Sequence, residues 1–267
     1  MALANQQLTA PSLGEKTEAP YNRAFYDTIR GASRRSALAV APLVLDLVRP
    51  ESIVDVGCGD GTWLSVFRDL GIADVVGLDG DYVDRRQLQI PLGQFKATDL
   101  SSRFELRRTF DLAMSLEVAE HLPPESAEGF IDSLTRLAPV VLFSAAIPLQ
   151  GGTHHLNERW PDYWATLFNT HDYLPIDCIR GSVWANEQVE WYYAQNTLIF
   201  ASADRLREDS RLCRAHERTY PQQLSLVHPK RFLQPMRCGV RDALRLLGQA
   251  LMNAARKRIS ALPGERY

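Results

Sequence analysis

Two carboxylates and a histidine stand close together in the segment Glu117-Val-Ala-Glu120-His121. In a helical turn, residues three and four positions apart share one face, so these three side chains would point together. Such a face supplies half of a site for a divalent metal such as Mg, Mn or Zn. The His154-His155 pair follows a predicted strand, so a histidine of this pair could complete the site at the same edge of the sheet. Without a metal, His155 or His121 would act as a general base near neutral pH.

A second candidate site is a glycine-rich turn, in which Asp55 precedes Gly57, Gly59 and Gly61. Glycines let a ligand approach the backbone closely, and the next helix N-terminus offers unpaired N–H groups. The third glycine comes one residue earlier than in the fingerprint of dinucleotide-binding proteins. Asp55 would repel phosphates and attract an ammonium group. The turn therefore favours a zwitterionic amino-acid group over a pyrophosphate.

These groups need a scaffold, and apolar runs alternate with helical patterns over most of the chain. Ala37, Val40 and Val44 recur at helical spacing in a predicted helix over residues 21–48, where Pro42 marks a kink or boundary. Short apolar runs predict strands at 52–56, 73–78, 95–97, 110–115, 140–146, 173–179 and 196–201, with helices at 62–70, 125–137 and 161–168. This alternation predicts a doubly wound α/β fold with a parallel sheet.

Composition and charge exclude several classes of protein. The chain has 267 residues, is 45% hydrophobic and 23% charged, and has a formal net charge of −2. It has neither the basic excess of a nucleic-acid-binding protein nor the low hydrophobicity of a disordered chain. The four cysteines stand far apart, which argues against a disulfide framework or a thiolate zinc site. No apolar run is long enough to span a bilayer and no secretory signal is visible, so we expect a cytoplasmic protein.

Charge divides the chain unevenly. Residues 228–267 carry nine Lys/Arg and two acidic residues, a net charge of +7, so the rest carries −9. We predict a loose tail over residues 1–20, an α/β domain over 21–204 and a basic helical extension over 205–267. An apolar stripe in the extension is formed by Val240, Leu244, Leu247 and Leu251. It would dock on the domain, on a second subunit as in a homodimer, or peripherally on the anionic inner face of a membrane.

The segment Val54-Asp-Val-Gly-Cys-Gly-Asp-Gly-Thr62 resembles motif I of the class I S-adenosylmethionine (SAM)-dependent methyltransferases. Later motifs follow in the family's order over about residues 21–201. The resemblance implies a Rossmann-like, seven-stranded, mostly parallel sheet with a reversed last strand, and SAM as the cofactor. It also implies that Asp79, next to Gly80, accepts hydrogen bonds from both ribose hydroxyls, which suits an acceptor-only carboxylate.

Two further motifs extend the implied cofactor site. Ala97-Thr-Asp99-Leu100 resembles the segment that holds adenine, with Asp99 accepting from the amino group. A capping or turn role is the alternative for Asp99. Phe110-Asp-Leu-Ala-Met-Ser-Leu116 resembles motif IV, and Ser115 near its carboxyl end would face the cofactor. The cofactor-binding residues implied in this way are Asp55, Gly57, Gly59, Gly61, Asp79, Gly80, Asp99, Leu100 and Ser115.

Other segments, such as Gly151-Gly-Thr-His-His155-Leu-Asn-Glu158, resemble a bacterial methyltransferase group often associated with cell-surface polysaccharide synthesis. The E-x-x-E-H pattern at Glu117 also occurs in ubiquinone-pathway O-methyltransferases and small-RNA 2′-O-methyltransferases, where a later histidine completes a metal site. In many class I enzymes such residues only cap the helix and line the cofactor cleft. The match of His155 to H-x-N-E favours His155 as the catalytic histidine, with Glu120 beside it. Asn157 and Glu158 would cap the next helix or touch substrate.

A cluster of aromatic and polar residues between the last two predicted strands is a candidate platform for the methyl acceptor. Its members are Trp184, Trp191, Tyr192 and Gln195. Sugars stack on aromatic faces, and amide side chains hydrogen-bond to their hydroxyls. The alternative is that these aromatic residues simply pack against the edge of the sheet.

These patterns predict a SAM-dependent methyltransferase that acts on a hydroxyl, most simply of a sugar or glycan precursor. One alternative is an O-methyltransferase that uses a divalent metal on a phenolic small molecule or an RNA 3′ end. The net charge of −9 outside residues 228–267 disfavours nucleic acid as a partner. A second alternative is a binding module that has the fold without turnover.

Overall fold

A computed structural model describes residues 23–233, with side chains described from residue 31 onward. Seven strands form one sheet: β1 Ser52–Val56, β2 Asp74–Asp79, β3 Phe95–Ala97, β4 Leu112–Leu116, β5 Val140–Ser144, β6 Tyr173–Ile176 and β7 Leu198–Ser202. The helices are α1 Arg23–Val48, α2 Thr62–Asp69, α3 Ala127–Leu137, α4 Pro161–Asn169, α5 Ile179–Val183, α6 Trp191–Asn196, α7 Ala203–Glu208, α8 Ser210–Glu217 and α9 Pro229–Leu233.

The sheet has the strand order β3-β2-β1-β4-β5-β7-β6. All neighbouring strands are parallel except β7, which is antiparallel to both β5 and β6. Every residue of β5 is buried, because helices cover both faces of the sheet there. The predicted doubly wound, seven-stranded sheet with a reversed last strand is confirmed.

The strand order locates the functional crevice. The chain leaves β1 toward β2 on one side, and β4 returns to pair with β1 on the other side. In open α/β sheets, ligands bind at such a switch point, outside the carboxyl ends of the strands. The loops after β1 and β4 therefore line the expected binding site.

Two apolar layers hold the sheet in place. On one face, α1 and α2 bury side chains such as Val44 and Phe67. On the other face, α3 and α4 bury Phe130 and Phe168, and the Phe168 ring stacks on Phe200 of β7 with centroids 3.9 Å apart. Burial of this apolar surface is the main term that stabilises the layers.

Several predicted boundaries differ from the structure. Pro42 lies inside α1 without ending it. Strand β4 runs to Leu116, one residue past its predicted end, whereas β5 ends at Ser144, before its predicted end. The predicted strand over 173–179 ends at Ile176, and Ile179 already begins α5. After β5 the apolar run continues into a buried loop at Ala145 and Ala146, which explains the predicted extra length there.

The residues that follow β7 pack on the same core. Leu206 of α7 and Leu212 of α8 are buried in the layer that contains α1. Arg180 is 1% exposed, forms a two-point ion pair with Asp177, and donates to the carbonyl oxygens of Gln223 and Leu224. These bonds fasten the segment before α9 to the domain.

Two predicted regions fall wholly or partly outside the described residues. The tail over 1–20 lies outside them, as does the part of the basic extension beyond residue 233, which contains the apolar stripe. Both remain predictions. Among residues 23–233, no helix combines the length and the apolar character needed to cross a membrane.

Candidate active site

A cavity of about 570 Å³ opens at the carboxyl ends of β1, β2 and β4. Most of the predicted cofactor residues line it, namely Asp55, Gly57, Gly59, Asp79, Gly80, Asp99 and Leu100. The predicted metal and catalytic residues Glu117, Glu120, His121 and His155 line it as well. Gly61 and Ser115 are not among the lining residues. The cavity thus joins two predicted sites that lie far apart in sequence.

The glycine turn after β1 holds its shape through backbone contacts. The amides of Gly57 and Cys58 both donate to the carbonyl oxygen of Leu78, at 2.8 and 3.1 Å. Gly57 has a φ of 87°, and a Cβ there would lie 2.3 Å from the side chain of Val118. Only glycine therefore lets the turn pass under the loop that follows β4.

Gly61 has a structural role instead of lining the cavity. It precedes α2 with a φ of 80°, and a Cβ there would lie 2.9 Å from the side chain of Ile90. Ser115 lies within β4, is fully buried, and its hydroxyl has no hydrogen-bond partner among the described residues. Because β4 is longer than predicted, Leu116 takes the cavity edge in place of Ser115.

Asp79 at the end of β2 braces the turn. One carboxylate oxygen accepts from the amide of Gly59 at 2.7 Å, and the other accepts from the amide of Gly80 and the Tyr82 hydroxyl, both at 2.6 Å. Burial raises the pKa of Asp79, although these hydrogen bonds act in the opposite direction. Tyr82 is 66% exposed and was not predicted. Nothing in its spacing from Asp79 indicates this contact.

Asp55 lies deeper, at the end of β1, and is 3% exposed. Burial and the neighbouring charge of Asp79 raise the pKa of Asp55 to about 8. Its carboxyl group is therefore largely protonated at neutral pH. A cationic ligand in the cavity would favour the ionised form of both acids.

Asp99 caps its own turn. Its carboxylate accepts from the Ser101 amide and hydroxyl at 3.0 and 2.6 Å, and from the Ser102 hydroxyl at 2.9 Å. The hydrogen bonds from Ser101 lower the pKa of Asp99. The structure thus shows the capping role that the sequence left open, at a position that still borders the cavity. Leu100 beside it is 8% exposed.

The other half of the cavity contains a cluster of Glu120, His121 and His155. A single 3-10 turn, Ala119–His121, follows β4 and carries the first two. Each of the three residues places one potential ligand atom within 4.8 Å of the others. The rings of His121 and His155 meet edge to face, with centroids 4.8 Å apart. This set could hold a metal ion.

Backbone hydrogen bonds bring the two loops of this cluster together. The amides of Leu156 and Asn157 both donate to the carbonyl oxygen of Glu120, at 2.7 and 2.9 Å. The loop after β5 is thereby fixed against the turn after β4, which sets His155 beside Glu120. His154 has a φ of 58° and is exposed, as expected for the less favoured histidine.

The electrostatics of the cluster are unusual. Glu120 is fully buried, and neither carboxylate oxygen has a hydrogen-bond partner among the described residues. Burial, followed by the charge of Glu117, raises the pKa of Glu120 well above its ordinary value. Burial, followed by the proximity of His155, lowers the pKa of His121 to about 4. Such a buried, unpartnered carboxylate is costly unless a proton or a cation accompanies it.

Glu117 does not join this cluster. Its φ of 56° turns the backbone before the 3-10 turn begins, so the predicted shared helical face does not form. Its carboxylate accepts from the side-chain amides of Gln150 at 2.8 Å and Asn196 at 3.0 Å. Burial raises the pKa of Glu117 despite these bonds. The predicted four-residue metal set is therefore reduced to three.

The predicted acceptor platform is mostly packed away from the cavity. Of its four members, only Tyr192 lines the cavity. Gln195 is fully buried and bonds to Gln150, Asn196 and the His228 amide. The ring of Trp184 packs on His228 with centroids 4.7 Å apart. Trp184, Trp191 and Gln195 thus lie outside the cavity lining, and their role toward an acceptor stays a prediction.

Glu158 does not cap the next helix. Its carboxylate accepts from the amides of Leu149 and Gly151 and lies 2.9 Å from Nδ1 of His155. Burial raises the pKa of Glu158, but these hydrogen bonds outweigh it and lower the net value. Asn157 is 2% exposed and accepts from Arg159, so it does not cap the helix either.

The model of the methyltransferase-domain family matches residues 29–181, more than half of the chain. The chain therefore belongs to the methyltransferase-domain family, whose SAM-dependent members the motifs after β1 to β4 resemble. A search of curated proteins finds no significant match.

Several solved structures are similar to the chain at low sequence identity. The methyltransferase domain of bacterial CtHen1 is 19% identical, with 62% of this chain and 96% of that one covered and a TM-score of 0.44. Human N-acetylserotonin methyltransferase in complex with SAM is 14% identical over 67% and 54%, with a TM-score of 0.48. The plantazolicin methyltransferase BpumL in complex with SAH is 15% identical over 67% and 88%, with a TM-score of 0.49.

Proposed function

We propose that this protein transfers a methyl group from SAM to a hydroxyl of an uncharged acceptor, such as a sugar or glycan precursor. One observation supports this most strongly: a single cavity joins an acidic, glycine-lined half to a cluster of Glu120, His121 and His155. We call the two parts the glycine-turn half (Asp55, Gly57, Gly59, Asp79 and Asp99) and the histidine half (Glu120, His121 and His155).

The glycine-turn half fits SAM. Gly57 and Gly59 line the cavity with bare backbone, and Asp55 and Asp79, once ionised by a cationic ligand, supply negative charge for a sulfonium and an ammonium group. The Asp79 oxygen that accepts from the Tyr82 hydroxyl is well placed to accept from a ribose hydroxyl instead. The cavity volume of about 570 Å³ lies in the usual range for small-molecule sites.

The histidine half fits a divalent ion, because Glu120 is a buried carboxylate without a hydrogen-bond partner among the described residues. Glu120, His121 and His155 would hold it, and an imidazole–carboxylate set suits Mn or Zn. When bound, such an ion would lower the pKa of the acceptor hydroxyl and orient its oxygen. We propose this metal site as one of two forms of the histidine half.

In the other form, His155 removes the acceptor proton directly. Nδ1 of His155 contacts Glu158, so Nε2 is the nitrogen available to the hydroxyl. The sulfonium of SAM is already activated, and holding the acceptor oxygen in line with the methyl group supplies much of the rate. Tyr192 and Leu122 also line the cavity and supply apolar surface there.

The charge of the cavity favours an uncharged acceptor. Six acidic residues line it: Asp55, Asp60, Asp79, Asp99, Glu117 and Glu120. Among residues 31–233, no Lys or Arg side chain lines it. A phosphate would find acidic side chains and, among these described residues, no Lys or Arg to pair with, whereas the hydroxyls of a sugar or phenol need no such partner. This argues against a nucleotide sugar or an RNA 3′ end as the acceptor.

Calorimetry tests the cofactor assignment. We expect SAM and S-adenosylhomocysteine to bind the full chain, and NAD not to bind. Replacing Asp79 by Ala should weaken SAM binding by ~1.5–3 kcal/mol, the usual worth of hydrogen bonds to a charged group. Binding of NAD in place of SAM, or unchanged SAM affinity in Asp79→Ala, would refute the assignment.

Transfer of isotope-labelled methyl from SAM tests the acceptor class. The assay should compare neutral oligosaccharides, a catechol and a short RNA, each with and without added Mn²⁺ after EDTA treatment. We expect labelling of the oligosaccharide. Labelling of the catechol or RNA alone identifies a different acceptor, and SAM binding without transfer to any hydroxyl indicates a binding module. Full activity in EDTA selects the direct base over the metal site.

A further inference from the structure

Glu158 occupies a central position in the loop between β5 and α4. One carboxylate oxygen lies 2.9 Å from Nδ1 of His155 and accepts from the Gly151 amide at 2.7 Å. The other accepts from the Leu149 amide at 2.7 Å. Both oxygens already accept from backbone N–H groups, so Glu158 acts as an acceptor toward His155 as well. The proton on the neutral imidazole must then reside on Nδ1.

The ring of His155 is also confined on its opposite edge. A Cβ on Gly152 would lie 2.2 Å from Nε2, so the ring rests directly on the backbone of Gly152. The His121 ring meets it edge to face, and the His155 side chain is only 12% exposed. Turning the ring over would move Nδ1 away from Glu158. The His155 ring, and with it the position of Nε2, is therefore held from several sides.

We propose that Glu158 is a positioning residue that fixes the tautomer and orientation of His155, so that Nε2 always presents its lone pair to the histidine half. The role rests on the proposed function, since that lone pair would accept the proton of the hydroxyl or bind a divalent ion. A carboxylate behind a functional histidine commonly performs this task. Glu158 achieves it while also fastening the backbone of residues 149–151.

Nitrogen NMR of isotope-labelled histidine in the full chain tests the tautomer without any activity assay. The signal of His155 is assigned by its loss in His155→Gln. We expect the neutral ring to carry its proton on Nδ1 in the wild type. In Glu158→Met, which has similar length but no acceptor, we expect the Nε2-protonated form to appear. In Glu158→Gln, one amide oxygen can still accept from His155, so most of the wild-type tautomer should remain.

The rate of methyl transfer should fall most in the variant that loses the Nδ1-protonated tautomer. Glu158→Met should lower kcat for methyl transfer about 10–100-fold, the usual cost of losing such a partner, with unchanged SAM affinity. Glu158→Gln should keep most of the activity. Glu128→Met, at an exposed position of α3, is the matched control and should change neither signal nor rate.

Two results would overturn the proposal. The first is a wild-type His155 whose neutral ring is protonated on Nε2, which can be read even if Glu158→Met does not fold. The second is a Glu158→Met protein that folds and keeps full turnover. If the protein binds no SAM but His155 shows the Nδ1-protonated tautomer, the proposed function fails while the role of Glu158 toward His155 holds.

Discussion

The two halves of the cavity satisfy their polar groups in opposite ways. In the glycine-turn half, Asp79 accepts three hydrogen bonds and Asp99 three more, all from nearby residues of the same chain. In the histidine half, both oxygens of Glu120 have no hydrogen-bond partner among the described residues. Asp79 and Asp99 are thus satisfied by the chain itself, whereas Glu120 is satisfied only by a proton, an ion or a substrate.

This contrast separates binding from chemistry. A ligand in the glycine-turn half exchanges existing hydrogen bonds for new ones, so changes there should alter affinity by modest factors. In the histidine half, the buried carboxylate of Glu120 is unfavourable in free energy unless a proton, an ion or a substrate binds beside it. Changes in it should therefore alter turnover and leave SAM affinity intact.

The largest effect should come from Glu120. Replacing Glu120 by Gln removes a charge that would bind the ion or stabilise a protonated His155. We expect kcat for methyl transfer to fall ~10²–10⁴-fold, the range typical of acid–base groups, with the Kd for SAM unchanged. Glu128→Gln makes the same chemical change at an exposed site and should have no effect. Full turnover in Glu120→Gln would show that methyl transfer does not depend on the Glu120 carboxylate, against the separation of binding and chemistry between the two halves.

The next effect is the pH dependence of SAM binding. A cationic ligand favours ionised Asp55, whose pKa in the free protein is about 8. Binding should therefore release a proton below that pH, and affinity should rise from pH 6 to pH 8 by at most about tenfold per unit. Calorimetry in two buffers of different ionisation enthalpy measures the released proton.

Asp55→Asn provides the control for this pH dependence. The variant should bind SAM with a flatter pH profile, and the remaining slope reports Asp79, whose pKa is also raised.

Stability of the ligand-free protein gives an independent check. Because the pKa of Asp55 is raised in the folded state, the protein should lose stability as the pH rises from about 4 to about 8. The melting temperature of the wild type should therefore fall across that range, and that of Asp55→Asn should fall less. Equal pH dependences of stability in both proteins would show that Asp55 does not titrate in this range.

A smaller effect is expected at Asp99. Its carboxylate caps the turn after β3, so Asp99→Ala should lower stability by about 1 kcal/mol, as typical caps do. SAM affinity should change less than in Asp79→Ala. Thermal melting and calorimetry on the two variants compare them directly. A larger loss of affinity in Asp99→Ala than in Asp79→Ala would favour the adenine role for Asp99 over the capping role.

The smallest effect should come from the aromatic residues outside the cavity. Tyr192→Ala should raise the KM for the acceptor, because Tyr192 lines the cavity. Trp184→Ala should leave that KM unchanged, because its ring packs on His228. Initial rates at varied acceptor concentration measure both. A KM for the acceptor that rises in Trp184→Ala but not in Tyr192→Ala would indicate that Trp184 contacts the acceptor.

Much of this molecule follows from local sequence patterns. The apolar runs of β1 and β5 and the glycines after β1 determine strands and a turn wherever they occur, because alternation, burial and φ are properties of short segments. The order of the motifs then places Asp55, Asp79 and Glu120 at one edge of the sheet. The strands were therefore predictable from local patterns, whereas the reversed last strand and the cofactor roles of Asp79 and Asp99 were implied by the resemblance to the methyltransferase family.

Tertiary structure decided which side chains meet. Glu117 and Glu120 are three residues apart, yet Glu117 turns toward Gln150 and Asn196, far along the chain, because its φ is positive. Trp184 and Gln195 pack on the segment before α9, and Glu158 reaches back to His155 instead of capping α4. Spacing predicts the direction of a side chain only inside a regular element. These residues lie in loops or in contacts between distant segments, where packing of the whole chain sets the direction.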